Sequence, residues 1–460
     1  MAEFPFPLTI KPASSNSQPQ TVVCVGLLRG LGGKRKVLDA IWNQRPVIVK
    51  LFADPIKAKY HMKREWRALK LLQEQDLNSP APLFYGKTNQ HDWAVVTEKI
   101  VNASTIREIW DNTTDVRKKR ELLCRVSREL AKQHSKGVLQ KDLHLGNFLL
   151  QAEKLFALDP AQMRFLSGDI NKRPAIAQLA LLASTVPDEN TDTITSVCKE
   201  YAQARSWKFS RSDIAVFRKK LAAAKKNGIK KALKKCLRTN KRYQKIEEHN
   251  YCGVAAMDFF EKADFHKLAE GIDELMQSGQ ILKNGNTCFV SRINLAGQDT
   301  VIKRYNHKGI IHSARHTIKK SRARRCWLHA HRLEMLNIAT PRPLAYIEQR
   351  RKKLIWKSYL ITEYVEGQNL YNFLRNSNVT EQNRSKLTQQ VRELLDNLGK
   401  HRISHGDLKH SNILITEHGP VLTDLDSMIA HRWKRTYKAR RAKDMAPLQK
   451  NNCPGENNRL

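Results

Sequence analysis

Two stretches of the chain, QKDLHLGNFLL (residues 140–150) and SHGDLKHSNILI (residues 404–415), place an aspartate five positions ahead of an asparagine and run on into apolar residues. The pairs are Asp142 with Asn147 and Asp407 with Asn412. A further aspartate follows each leading one by the same 17 positions, Asp159 in FALDP and Asp424 in LTDLD. Three matched positions rarely recur by chance, so the chain carries an internal duplication. Upstream, each copy has a lysine inside an apolar, strand-like run: Lys50 in RPVIVKLF and Lys303 in DTVIKRY. Copy one adds Glu65 in the helical pattern HMKREWRALKLLQEQ.

A strand lysine, a helix acid, an Asp–Asn pair and a later Asp form a set suited to phosphoryl transfer. That reaction needs a triphosphate held in place and its charge offset by Mg²⁺. In this reading Asp142 and Asp407 orient the acceptor hydroxyl and take its proton. Asn147, Asp159, Asn412 and Asp424 supply hard oxygens to Mg²⁺. Lys50 and Lys303 grip the ATP phosphates, and Glu65 holds Lys50. His144 and Lys409 occupy the same place two residues after the aspartate. A lysine there is able to touch the transferring phosphate, whereas His144 reads equally as a group orienting the loop or the acceptor and as a packed or solvated side chain. Aligning EWRAL with CWLHA sets Cys326 where copy one has Glu65, so copy two either lacks the helix acid or draws on Glu334 from a shifted register.

The elements that must position these groups recur in order. In copy one, strands TVVCVGLL and RPVIVKLF precede the Glu65 helix, which stops before NSPAP; then come strand WAVVTEKI and helix RKKRELLCRVSRELAKQHSKG. In copy two, FVSRINL and DTVIKRY precede SRARRCWLHAHRLEMLN, SYLITEYVEG and SKLTQQVRELLDNLGKHR. Neither copy has a clear G-x-G-x-x-G phosphate loop; GLLRGLGGKRK and KNGNTCF stand in its place.

Both halves resemble protein-kinase-like folds, and the closer resemblance is to the lipopolysaccharide kinase (Kdo/WaaP) family. It rests on SRARRCWLHAHRLEMLNIATPRPLAYIEQR, SYLITEYVEG, HGDLKHSNILI, VLTDLDSM and RRAKDMAPLQKN in copy two. KREWRALKLL, QKDLHLGNFLL and ALDPAQMRF carry a more distant likeness in copy one. The resemblance implies an α+β architecture of two tandem kinase-like domains, each with a small β-rich N-lobe and a helical C-lobe. The expected limits are 20–200 and 251–450, joined by a basic helical connector over 201–250 with the division near Glu247. It also implies ATP- and Mg²⁺-dependent phosphorylation of an inner-core heptose or Kdo of lipopolysaccharide, with the core or lipid A precursor as acceptor. The place of action would be cytoplasmic, peripheral at the inner face of the bacterial inner membrane.

Composition bounds these readings. The 460 residues suffice for two or more domains. No apolar run approaches the ~20 residues of a membrane span, and MAEFPFPLTIKPASS lacks the pattern of a secretory signal. Eight scattered cysteines read as free thiols of a reducing compartment. Against 44 acidic residues stand 82 Lys and Arg, net +38, a surface that attracts polyanions. The basic runs His307–Arg325, the connector and HRWKRTYKARRAK read either as solvated faces or as contacts to an anionic leaflet and core phosphates. No zinc spacing or RNP-like aromatic motif favours a specific nucleic acid. Three alternatives stay open: a kinase of another small molecule, a protein kinase, and a scaffold in which one or both copies are inactive.

Overall fold

The computed structural model describes residues 3–13, 18–31, 35–186, 191–306, 320–351, 354–376 and 379–450. The chain divides into two compact units, Met1–Gly228 and Ile229–Leu460.

The first unit opens with six antiparallel strands: β1 (Phe6–Pro12), β2 (Gln20–Leu31), β3 (Arg35–Trp42), β4 (Arg45–Phe52), β5 (Pro82–Thr88) and β6 (Trp93–Glu98). They close into a barrel in the order β1-β2-β3-β4-β6-β5, with β1 sealing against β5. The barrel therefore draws on residues that precede position 20. Its closure brings backbones close at Gly86, where a Cβ would sit 2.0 Å from the Lys11 carbonyl oxygen. Strand alternation sends Val47, Val49 and Leu51 of β4 into the barrel core with Leu8, Val22, Leu38 and Val96. It turns Lys50 to the opposite face. There α1 (Ala58–Glu74) packs through Met62 and Leu69 onto Phe52 and Val95. The helix thus buries Glu65 on the side of the sheet that carries Lys50.

Below the barrel, helices Val116–Ser135, Lys172–Ala183 and Thr191–Ala204 bury a core that includes Leu123, Leu130, Phe148, Ile176, Leu179 and Tyr201. Asp115 caps the first of these by accepting from the Arg117 and Lys118 amides. The segment read as a basic connector contains helix Arg211–Lys235, which crosses the division between the units, and strand Tyr243–Glu247. Phe217 and Leu221 of that helix lie in the first unit's core, whereas Lys219, Lys220, Lys226, Lys230 and Lys231 are exposed.

The second unit builds an open seven-stranded antiparallel sheet instead of a barrel. Its spatial order is Tyr243–Glu247, Tyr251–Ala256, Pro343–Arg351, Leu354–Glu363, Gln298–Tyr305, Cys288–Leu295, Gln280–Gly285. Helix Phe265–Ser278 covers one face through Phe265, Ile272 and Met276 against Ile302, Ile347 and Ile361. Helix Arg322–Glu334 covers the other through Ala323, Cys326 and Trp327 against Val254, Tyr305 and Tyr346. Lys303 alternates with Ile302 and so lies on the face of the second helix. Helices Glu381–Lys400 and Lys434–Lys450 form the lower layer with the loop segments around Leu408 and Leu425. The seven cysteines among the described residues are unbridged and buried. Most of the basic run His307–Arg325 (residues 307–319) lies outside the described residues.

Candidate active site

Each unit gathers its chemistry-bearing residues where the sheet meets the helical layer. In the first, Lys50 Nζ forms an ion pair with fully buried Glu65 and lies 3.2 Å from Asp159 Oδ1. Arg35, at the start of β3, reaches the same two carboxylates at 3.6 and 3.5 Å. Burial alone would raise the Asp159 carboxyl, but Lys50 and Arg35 outweigh it and hold it below the ordinary carboxylate range.

The two loops share three hydrogen bonds at matched positions. Asn147 donates through Nδ2 to the Asp142 carbonyl at 2.6 Å, and Asn412 to the Asp407 carbonyl at 2.8 Å. The Asn147 amide donates to His144 O and that of Asn412 to Lys409 O. Leu158 N reaches Asn147 O at 2.8 Å, and Thr423 N reaches Asn412 O at 2.9 Å. Asp159 and Asp424 both stand in the left-handed region, at φ 51° and 57°. Both aspartates thus share the same backbone conformation at matched positions. Asp142 and Asp407 stay open to solvent, with side chains 72% and 50% exposed. Lys409 Nζ lies 3.1 Å from Asp407 Oδ2; His144 Nε2 stands 3.8 Å from Asp142 Oδ2, a looser approach.

In the second unit Lys303 Nζ lies 2.6 Å from Asp424 Oδ1 and 3.2 Å from Asp426 Oδ2. Glu334, the helix acid that sequence spacing left open for this lysine, is engaged elsewhere, 2.6 Å from His331 Nδ1. Of the two alternatives the first holds: the helix gives Lys303 no acid, Glu334 lies about two turns beyond Cys326, and the carboxylates beside Lys303 come from the loop. Asp426 also accepts from Tyr305 Oη at 2.5 Å, Arg322 Nη2 at 2.6 Å and Cys326 Sγ at 3.0 Å. Burial works to raise its carboxyl, yet Lys303, the Tyr305 and Cys326 bonds and Arg322 bring it down to about 2. Burial opposes charge on Lys303 as well, and the Asp426 and Asp424 charges more than compensate, leaving its ammonium raised.

The loop ahead of each aspartate is held from below by a residue that motif spacing did not single out. In the second unit Asp444, nearly buried, accepts from the His405 amide and the Gly406 amide, both at 2.8 Å. In the first, Gln178 accepts from the Gln140 amide at 3.2 Å and donates back to the Gln140 carbonyl at 2.6 Å. A lone acid in RRAKDMAPLQ and a lone amide in an apolar helix were the available signals, and neither is periodic. Gly406 has φ +86°, and a Cβ there would meet the Ser427 carbonyl oxygen at 2.4 Å.

Among the described residues no group of three or more His, Cys, Asp or Glu is gathered to hold a metal by itself. A nucleotide-bound Mg²⁺ asks for less, since it keeps several waters and takes one or two protein ligands beside the phosphates. Because Asn147 and Asn412 spend Nδ2 on the backbone, each keeps its amide oxygen as a hard donor, and Asp159 and Asp424 add carboxylate oxygens. The residues present fit such an ion. The glycine-containing stretches flank strand hairpins, β2–β3 in the first unit and Gln280–Gly285 with Cys288–Leu295 in the second. The tip of the former, residues 32–34, lies outside the described residues.

Compared with known families, the chain matches the lipopolysaccharide kinase (Kdo/WaaP) family in two segments, residues 52–174 and 275–457. One segment covers each Asp–Asn–Asp loop. A comparison with curated proteins found no match.

Proposed function

The chain belongs to the lipopolysaccharide kinase (Kdo/WaaP) family, and from that premise we propose that it moves the γ-phosphate of ATP to a hydroxyl of an inner-core heptose or Kdo of lipopolysaccharide. The observation that carries the reading is the loop geometry built twice: lysine against a carboxylate, an open aspartate, an inward-bonded asparagine and an aspartate in left-handed backbone. Asn147 with Asp159 and Asn412 with Asp424 would hold Mg²⁺, which neutralises the phosphate charge as it is transferred. Lys50 and Lys303 bind the phosphates, each kept in place by buried carboxylate. Asp142 and Asp407 orient the acceptor hydroxyl and receive its proton. Lys409, 3.1 Å from Asp407, puts positive charge where the acceptor phosphate forms, which favours the second unit as the working site.

The acceptor is an anionic glycolipid, and the surface charge suits it. Beside the second unit's loop, Arg432, Lys434 and Arg435 are exposed around Trp433, itself 62% exposed. A tryptophan ringed by cations fits an anionic headgroup layer. No helix among the described residues is long and apolar enough to cross a membrane. We read the protein as acting peripherally at the cytoplasmic face of the inner membrane.

The test is transfer of labelled γ-phosphate to dephosphorylated lipopolysaccharide core by the native chain, Asp142→Asn and Asp407→Asn. Loss on the order of 10²-fold or more is expected in Asp407→Asn. Transfer that survives Asp407→Asn and disappears in Asp142→Asn would move the activity to the first unit. No transfer by the native chain, with ATP still bound, would end the lipopolysaccharide reading.

A further inference from the structure

The two units solve one electrostatic problem with carboxylates from different places. A lysine that must present its ammonium to phosphate needs an acid that fixes it without lying in the ligand's path. In the first unit that acid is Glu65, on α1, and the position two residues after Asp159 is Ala161. In the second unit the helix position is Cys326, and the position two residues after Asp424 is Asp426. Helix acid and loop alanine have been exchanged for helix thiol and loop acid.

We infer that Asp426 is the positioning carboxylate for Lys303, doing from the loop what Glu65 does from the helix. Four observations converge on it. Lys303 Nζ lies within 3.2 Å of it, and its side chain is only 11% exposed. Cys326 Sγ, at the Glu65 position, touches Asp426 Oδ1 at 3.0 Å, so the displaced carboxylate fills the space a helix acid would occupy. Arg322 closes on Asp426 and lies over the Tyr305 ring at 4.8 Å, while Arg35 approaches Glu65 and lies over the Phe52 ring at 5.3 Å. Tyr305 and Phe52 are both two residues past the lysine. A lysine, an arginine and an aromatic ring thus stand around each carboxylate, whose origin has changed.

A mechanistic difference follows. In the first unit the lysine has both carboxylate partners only when α1 is seated, since Asp159 comes from the loop and Glu65 from the helix. In the second, Lys303 is aligned by the same turn that carries Asp424, so the phosphate-binding lysine and the metal-binding aspartate are set together. Swinging helix Arg322–Glu334 aside would remove a thiol and an arginine, not the acid that fixes Lys303. The second unit is therefore complete without a helix glutamate. This inference rests on the kinase reading of that unit.

The test uses the full chain carrying Lys50→Met, so that ATP titration reports the second unit; Lys303→Met added to it confirms the origin of the signal. Asp426→Ala is expected to weaken ATP binding by roughly tenfold or more, since a positioned charge is lost from the phosphate site. Cys326→Glu combined with Asp426→Ala copies the first unit's arrangement and should restore affinity to within a few-fold. Thermal melting of each variant separates folding from alignment: rescue of binding without rescue of melting temperature is the signature of positioning. If the Lys50→Met chain binds no ATP, the nucleotide reading of the second unit falls, and the inference with it. If it binds ATP and Asp426→Ala leaves affinity within about twofold, the kinase reading stands and the assignment of Asp426 is overturned. Failure of Cys326→Glu to restore binding in a chain that melts normally overturns it too.

Discussion

Replacing Asp444 by asparagine tests how the second unit's loop is held. The carboxylate accepts two backbone bonds, from His405 and Gly406, both at 2.8 Å and away from water. A hydrogen bond to a charged acceptor contributes about 1.5–3 kcal/mol. Asparagine keeps one acceptor oxygen and turns an NH₂ group toward the second amide. One bond is lost, a buried N–H is left without an acceptor, and the surviving bond loses its charge. The combined cost is about 2–4 kcal/mol. At ~1.4 kcal/mol per decade this corresponds to a rise in opening of at least ~30-fold, read as faster hydrogen exchange at the His405 and Gly406 amides. Asp407 is the next residue, and on the role proposed for it a drift of ~1 Å costs on the order of 10² in rate. Lipopolysaccharide phosphorylation should therefore fall along with protection. Exchange at these two amides unchanged within ~3-fold would refute the account of Asp444 as the anchor of this loop.

Gly406→Ala should destabilise the second unit by about 2 kcal/mol or more, because a Cβ at φ +86° is strained and would meet the Ser427 carbonyl; the denaturant midpoint measures it. Burial of His134, which the nearby Gln178 side chain offsets only in part, lowers its imidazole to about 4. The unfolded chain takes up this proton near pH 6.5 and the folded one only near 4, so folding stability is complete above 6.5 and declines as pH falls to 4. The loss is roughly 3 kcal/mol over that window. Acid titration of unfolding should show this slope, and His134→Gln should flatten it; an unaltered slope would mean that other groups cause it.

The Asp–Asn–Asp sets were legible because their spacing is local. A loop of fixed length must place its aspartate, asparagine and final acid at fixed offsets, and both copies kept them through otherwise dissimilar sequence. Lys50 and Lys303 were legible for the same reason, as lone charges in apolar strands. Of the two carboxylates on Lys303, Asp424 was legible and Asp426 was not. Spacing from Lys303 into the following helix crosses residues 307–319 and arrives at a thiol, and the next acid along that helix is Glu334. The carboxylate that answers Lys303 is some 120 positions away in sequence and two residues from one already singled out.

The sequence alone determined the duplication, the lysine strands with the helices that follow them, and the spacing within the loops, because each follows from periodicity or short-range spacing; β1, strands Tyr251–Ala256 and Pro343–Arg351 and helix Phe265–Ser278 were not read from it. It did not determine that β1 closes a barrel in the first unit while the second opens into a sheet of seven, since strand pairing partners are set by long-range packing. Nor did it determine that Asp426, Asp444 and Gln178 belong to the sites. A carboxylate acquires its role from whatever cation or amide shares its buried neighbourhood, and that neighbourhood exists only once the sheet and the helical layer have closed around it.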